Sequence, residues 1–404
     1  MSVEVAGNPL QRIALLGATG SIGDSTLDVI RLHPDRYQAW VMTAHSQVQK
    51  AFVQCQQFQP TYFVMVNPQA AQELSQLLKS IHSKTEVLSG DSALVDIVAA
   101  SEVDIVVLGI VGAAGLAPGL AAVRARKRVL LANKEALVMA GALFMAEVRR
   151  HQTELLPLDS EHNAIFQCLP LNCQTVWQTP NLIEQGLSRI ILTASGGPFL
   201  KTSAAELSHI TPEQACAHPN WQMGKKISVD SATLMNKGLE FIEACYLFDI
   251  PPSAVEVLIH PQSIVHSMVE WRDGSVLAQL SQPDMKIPIA YGLAWPARIK
   301  TQVPQLDWRQ ITQLEFCLPD TQRFPCLQLA IDAMKTGGSA PVVLNAANEV
   351  AVAHFLAGKI AFIEIAKVII KTLEKMPSVP LSDLAAVWDI DQESRALTSE
   401  FICS

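Results

Sequence analysis

Residues 11–23 read Gln11-Arg12-Ile13-Ala14-Leu15-Leu16-Gly17-Ala18-Thr19-Gly20-Ser21-Ile22-Gly23. Four apolar residues in a row, ended by glycine, are the pattern of a strand buried on both faces of a parallel sheet. The glycines that follow let the backbone turn sharply into a helix. Their N–H groups, together with the positive end of that helix, form a cradle for a pyrophosphate. The spacing is G-x-x-G-x-x-G, a weak signal alone and a stronger one between a strand and a helix. The competing reading is a plain tight turn.

Outward from this stretch the same grammar repeats. Apolar runs at 39–43, 62–66, 104–108 and 128–132 alternate with helical patterns such as 26–32 and 46–57. Strands separated by helices pair in parallel through crossovers, so residues 1–158 are expected to form a doubly wound, Rossmann-like α/β domain. Ile105–Val123 is nineteen residues without a charge, but its five-residue set of glycines and proline favours strand, turn and helix over a membrane span.

After residue 158 the texture changes. Runs at 190–193, 255–260, 264–271 and 275–280 crowd together, and Asp273-Gly274 between the last two is a hairpin turn signal. Antiparallel pairing there suggests a separate α+β domain over 159–294, followed by a linker bearing proline and tryptophan over 295–320 and a helical C-terminal domain, a helical bundle, over 321–404.

Composition narrows the function classes. The 404 residues are 49% hydrophobic and 17% charged, which is globular, and 30 basic against 38 acidic residues give a net charge of −8. Wholesale nucleic-acid binding needs a basic face, which this balance does not supply. The eight cysteines are scattered without a C-x-x-C pair, as expected of reduced thiols in the cytoplasm, and the N-terminus shows no export signal.

Three further stretches carry candidate chemistry. In Leu158-Asp159-Ser160-Glu161-His162, two acids two residues apart on extended backbone would point to one side and share a hard cation; a solvated loop edge is the alternative. A helix opened by Ser228-Val229-Asp230-Ser231 would group Asn236, Glu240 and Glu243 on one face, with Ser231, Asn236 and Lys237 in its first turns, where amides attract anions. A solvated polar face is again the alternative. Finally Ser195-Gly196-Gly197-Pro198 and His218–Gly224, with one tryptophan, have the hinge and polarity of a substrate lid over about 195–224.

Taken in order, these stretches, with Ile110–Gly115, Leu131–Glu135, Ile227–Glu240, His260–Ser263 and Leu344–Ala353, resemble the 1-deoxy-D-xylulose 5-phosphate reductoisomerases over essentially the whole chain. The resemblance implies a homodimeric enzyme that uses NADPH and Mg²⁺ or Mn²⁺ (Co²⁺ in some cases). It would isomerise and reduce 1-deoxy-D-xylulose 5-phosphate to 2-C-methyl-D-erythritol 4-phosphate for isoprenoid precursors. Asp159, Glu161 and Glu240 would hold the metal; Ser195, Ser231, Asn236 and Lys237 the substrate phosphate. Ser160, Lys134 and His218 would meet the reacting end, and Trp221 and Met223 would belong to the lid. Gly17, Thr19, Gly20, Ser21, Ile22 and Gly23 would line the NADPH site, with Ser46, Gln47, Asn133, Glu135 and Gly224. Family members commonly carry a glycine, a small or basic residue and Asn where His45-Ser46-Gln47 stand. No acid is present there to repel a ribose phosphate, so NADPH preference over NADH is expected. A metal-free reductase and a nucleotide-sensing module are the competing classes; neither needs Asp159 or Glu240.

Overall fold

The computed structural model describes residues 9–174, 181–217 and 224–403. Seven strands form one parallel sheet: β1 Gln11–Leu16, β2 Tyr37–Ala44, β3 Tyr62–Met65, β4 Glu86–Ser89, β5 Ile105–Leu108, β6 Arg128–Leu131 and β7 Leu155–Pro157. Their order is β4-β3-β2-β1-β5-β6-β7, with β1 pairing β2 on one side and β5 on the other. The strand order therefore reverses beside β1, and the Gly17 loop leaves the carboxyl end of the strand at that switch point, where doubly wound sheets bind ligands. Ile13–Leu16 and Ile105–Leu108 are fully buried; each Ile, Leu or Val among them contributes about 1.5–3 kcal/mol. The charge-free stretch resolves into β5, a short turn and the helix Leu116–Arg124. Among the described residues no helix is long and apolar enough to cross a membrane.

A second sheet has the order β11-β10-β8-β9, formed by β8 Leu187–Ala194, β9 Val255–Ile259, β10 Val265–Trp271 and β11 Val276–Leu280. The Asp273-Gly274 hairpin is present: Gly274 has φ +86° and β10 pairs β11 antiparallel. Beyond the hairpin the sheet is mixed: β10 pairs β8 antiparallel, while β8 pairs β9 in parallel. The two are sixty residues apart in sequence and joined through helices, which frees the return direction. Helices Cys326–Thr336, Ala340–Leu356, Glu364–Lys375 and Leu384–Cys403 follow.

Contacts divide the chain into two compact units that interleave in sequence. One holds the described residues up to Asn133 with Glu147–Asp159 and Asp284–Val303. The other holds Lys134–Ala146, the described residues of 160–283, and those from Pro304 onward. The helix Lys134–His151, interrupted at the non-helical Ala140, changes unit between Ala146 and Glu147. The stretch 284–303 thus groups with the seven-stranded sheet, whereas the sequence reading divides it between the central domain and the linker.

Candidate active site

Two sets of residues are candidates. In the first, the Gly17–Gly23 turn is built as a close backbone approach. Gly17 has φ +81°, and a Cβ on it would lie 2.7 Å from the carbonyl oxygen of Gly109; one on Gly23 would lie 2.2 Å from that of Ala18. The N–H of Gly17 donates to Thr43 Oγ1 at 3.1 Å. Gly20 is exposed, and no side chain caps the helix Ser21–Leu32 that it opens. Lys50 braces the turn, donating to the Thr19 carbonyl at 2.8 Å and to Asp24 at 2.6 Å. Ile22 packs toward Gly109, where a Cβ would meet its Cγ2 at 3.2 Å. Asn133 ties down the neighbouring loop through the carbonyls of Ile110 and Gly112. Ser46 and Gln47 are exposed just past β2. These features fit a dinucleotide: free amides at a helix start, no side chain on the approach, and no acid at the ribose end.

The second set gathers around Glu240, in the helix Met235–Leu247. Asp159 immediately precedes the helix Ser160–Cys168, and Glu161 lies in that helix's first turn. The expected extended backbone at 159–161 is therefore not present: it bends at Asp159 and is helical from Ser160. One carboxylate oxygen from each of Asp159, Glu161 and Glu240 nevertheless lies within 4.8 Å of the others. Oxygens that share one divalent cation sit about 3–4 Å apart, a spacing this cluster approaches. Hard oxygen donors in this number fit a divalent cation.

Two ammonium groups complete the charge balance. Lys134 Nζ lies 2.9 Å from Glu240 Oε1 and donates to Asn236 Oδ1 at 2.8 Å. Lys237 Nζ pairs with Glu161 Oε1 at 2.7 Å and with Glu240 Oε2. Asn236 Nδ2 also donates to Glu240, and Ser160 Oγ to Glu161 Oε2 at 2.6 Å. Burial alone would raise the Glu240 carboxyl, but Lys134 and Lys237 outweigh it and hold its pKa at about 2. The reading of this helix face as solvated fails: Glu240 and Glu243 are both 1% exposed.

The helix itself departs from expectation. It begins at Met235, and Ser231 belongs to the last turn of a preceding helix, Lys225–Ala232. Leu234, at φ 61°, makes the break. Apolar residues on both sides of it continue one helical periodicity, which hides the break in the sequence. Ser195 ends up near Ser231 through the glycines after β8. Ser195 Oγ accepts from the N–H of Gly197 at 3.2 Å, and Gly197 lies so close to Ser231 that a Cβ would be 2.7 Å from its carbonyl oxygen. Ser195, Ser231, Asn236 and Lys237 thus come from three segments meeting at one turn.

Glu135 does not join either cluster. It accepts from Lys226 Nζ at 3.0 Å, which holds its carboxyl below the usual range despite burial. Gly224 is exposed at the start of the helix Lys225–Ala232. His218, Trp221 and Met223 lie outside the described residues. Sequence reading passed over His162, whose Nε2 is 2.9 Å from the Glu240 carbonyl oxygen and whose Nδ1 is 3.4 Å from Glu243 Oε2. Its signal was its place inside the acidic motif. Lys226 was also passed over, although it stands four residues before Asp230 on one helix face.

Family models described as 1-deoxy-D-xylulose 5-phosphate reductoisomerase and its two C-terminal domains match residues 13–141, 155–248 and 280–397. This chain belongs to the 1-deoxy-D-xylulose 5-phosphate reductoisomerase family. The reductoisomerase of Pseudomonas putida is 56% identical over 392 residues, covering 97% of both chains. That of Dechloromonas aromatica is 55% identical, covering 97% of this chain and 98% of its own. Among solved structures, a reductoisomerase in complex with NADPH, fosmidomycin and magnesium superposes with a TM-score of 0.94 at 46% identity, covering 97% of this chain and 98% of that one. The reductoisomerase of Zymomonas mobilis in complex with NADPH gives 0.89 at 46% identity, with 97% and 99% covered.

Proposed function

We propose that this chain converts 1-deoxy-D-xylulose 5-phosphate into 2-C-methyl-D-erythritol 4-phosphate, using NADPH and a divalent cation, Mg²⁺ or Mn²⁺. The observation that carries the reading is the convergence of Asp159, Glu161 and Glu240 within 4.8 Å of one another, in a chain of this family. The reaction shifts a carbon–carbon bond beside a carbonyl and then reduces the aldehyde so formed. NADPH when bound supplies the hydride, and the cation supplies positive charge where substrate oxygens become negative.

The chain's own residues do the rest. The three carboxylates hold the cation, and Lys134 limits the excess negative charge they create. Ser160 and His218 orient the reacting end. Ser195, Ser231, Asn236 and Lys237 grip the phosphate, which takes no part in the chemistry but fixes the substrate's orientation. The stretch 195–224, hinged at Gly196 and Gly197 with φ of +85° and +69°, serves as a lid carrying Trp221 and Met223, and its closure excludes water. Gly17, Thr19, Gly20, Ser21, Ile22 and Gly23 receive the dinucleotide together with Asn133, and Ser46 and Gln47 face its ribose phosphate; Glu135, held by Lys226, is left out of this set. Functionally, the unit of the seven-stranded sheet serves the nucleotide, and the unit of the second sheet and the C-terminal helices serves the substrate.

A homodimer suits the exposed edge strand β11, where Val276 and Leu277 are each nearly half exposed; an unpaired apolar edge invites a second copy. A cytoplasmic location suits eight free cysteines.

The test is NADPH oxidation with the substrate, with and without Mg²⁺, repeated on Asp159→Asn and Glu240→Gln. Activity is expected to vanish on chelation and to fall at least about a hundredfold in each variant. NADH is expected to support a kcat/KM at least about tenfold lower than NADPH. Full activity in chelator, or in either variant, overturns the assignment.

A further inference from the structure

Asp230 carries a carboxylate with no solvent exposure, and neither candidate set uses it. Its Oδ2 lies 2.9 Å from Lys226 Nζ, the same ammonium that reaches Glu135. Its Oδ1 accepts from Asn348 Nδ2 at 2.8 Å, and Asn348 is likewise fully buried. Asn348 sits in the helix Ala340–Leu356, within the Leu344–Ala353 stretch to which no role has been given. The next residue, Glu349, accepts from Arg395 of the last helix, and Arg395 also bonds Asp391 at 2.7 Å. The last helix thus braces, through Arg395, the same helix whose Asn348 holds Asp230, the residue just before Ser231.

A buried, charge-bonded contact of this kind is a poor source of stability, because apolar packing of equal volume does as well. What it supplies is one fixed register between two helices. Past Asp230 the main chain turns through Ser231, Thr233 and Leu234 into the helix bearing Asn236 and Lys237. That second helix is seated independently: a Cβ on Gly238 would lie 2.5 Å from the Cβ of Ala330, in the helix Cys326–Thr336. Both helices flanking the turn are thus held from the C-terminal helices, the first by Asn348 and the second by Ala330.

We infer that Asn348 is a positioning residue, which through Asp230 fixes Ser231 relative to Asn236 and Lys237 and so sets the affinity for the substrate's phosphate. This rests on the phosphate role proposed above for those residues. The test compares Asn348→Asp, Asp230→Asn and the double exchange, which returns one amide-to-carboxylate bond with its polarity reversed. Each single variant is expected to raise KM for the phosphorylated ketose about tenfold, with kcat and KM for NADPH within about twofold. The double variant is expected to recover to within about threefold. Titration with inorganic phosphate by calorimetry is expected to follow the same pattern, and it reads the bond without turnover. Should Asn348→Asp fail to fold by circular dichroism, Asn348→Ala removes the donor without adding charge. Unaltered KM and phosphate affinity in the single variants overturn the inference, as does a uniform loss of kcat and both KM values, or a double variant no better than the worse single. A wild-type chain that binds phosphate but does not turn over the ketose overturns the proposed reaction and leaves the phosphate titration to decide the role of Asn348.

Discussion

At Lys237 the ammonium nitrogen lies 2.7 Å from Glu161 and also bonds Glu240. A cation entering between those carboxylates competes with it directly, and a full positive charge a few ångströms away opposes binding even in partly solvated surroundings. The same group is the strongest anion partner available to a phosphate at this turn. Lys237→Gln therefore separates two roles. Mn²⁺ affinity, read by electron paramagnetic resonance, is expected to rise about tenfold as the competing charge leaves. The kcat/KM for the phosphorylated ketose is expected to fall about a hundredfold. Weaker Mn²⁺ binding in that variant contradicts the charge balance argued for the cluster. Burial of Glu240 was not legible at this scale: a polar stripe at helical spacing reads the same whether water or a lysine satisfies it.

Gly17 joins β1 to the helix Ser21–Leu32, and two constraints act on it together. Its φ of +81° is strained for any residue with a Cβ, and that Cβ would sit 2.7 Å from the Gly109 carbonyl at the end of β5. Backbone, not a yielding side chain, stands in the way. Gly17→Ala is expected to cost about 1–3 kcal/mol of stability, by chemical denaturation, and to raise KM for NADPH. An unchanged KM with lowered stability would mean that the turn is structural alone. This strand, turn and helix were readable because every local cue agreed: an apolar run, glycines at the bend, and an amphipathic segment after it. The elements that escaped lacked such agreement. β4 Glu86–Ser89 is a four-residue edge strand with exposed ends, and β7 Leu155–Pro157 has only three residues. The Asp159/Glu161 pair was found for its acids while its backbone was misjudged, since two residues carry no periodicity. The interruption at Leu234 depends on a left-handed residue that is not glycine, which nothing in composition marks.

At the scale of the molecule, sequence distance is a poor guide to neighbourhood. Lys134 and Glu240 are 106 residues apart yet belong to one unit, because Lys134–Ala146, most of the helix Lys134–His151, groups with the second sheet rather than with the strand that leads into it. Global stability inherits a pH dependence from the same unit. His266, on β10, is buried, and that burial lowers its pKa from 6.5 to about 4 despite hydrogen bonds to the backbone at Ser281 and Gln282. Above pH 6.5 the imidazole is neutral in both folded and unfolded chains and the difference vanishes. Between 6.5 and 4 the unfolded chain takes up a proton that the folded one refuses, so stability falls as pH falls. The full difference is about 3 kcal/mol at 1.36 kcal/mol per unit, and it is reached below pH 4. Urea unfolding at several pH values, for the native chain and for His266→Asn, isolates this contribution from the other acid-titrating groups. The native chain is expected to lose stability more steeply than the variant between pH 6.5 and 4, with parallel curves above 6.5. Parallel curves throughout would place the imidazole in contact with solvent and remove it from the core of the second sheet.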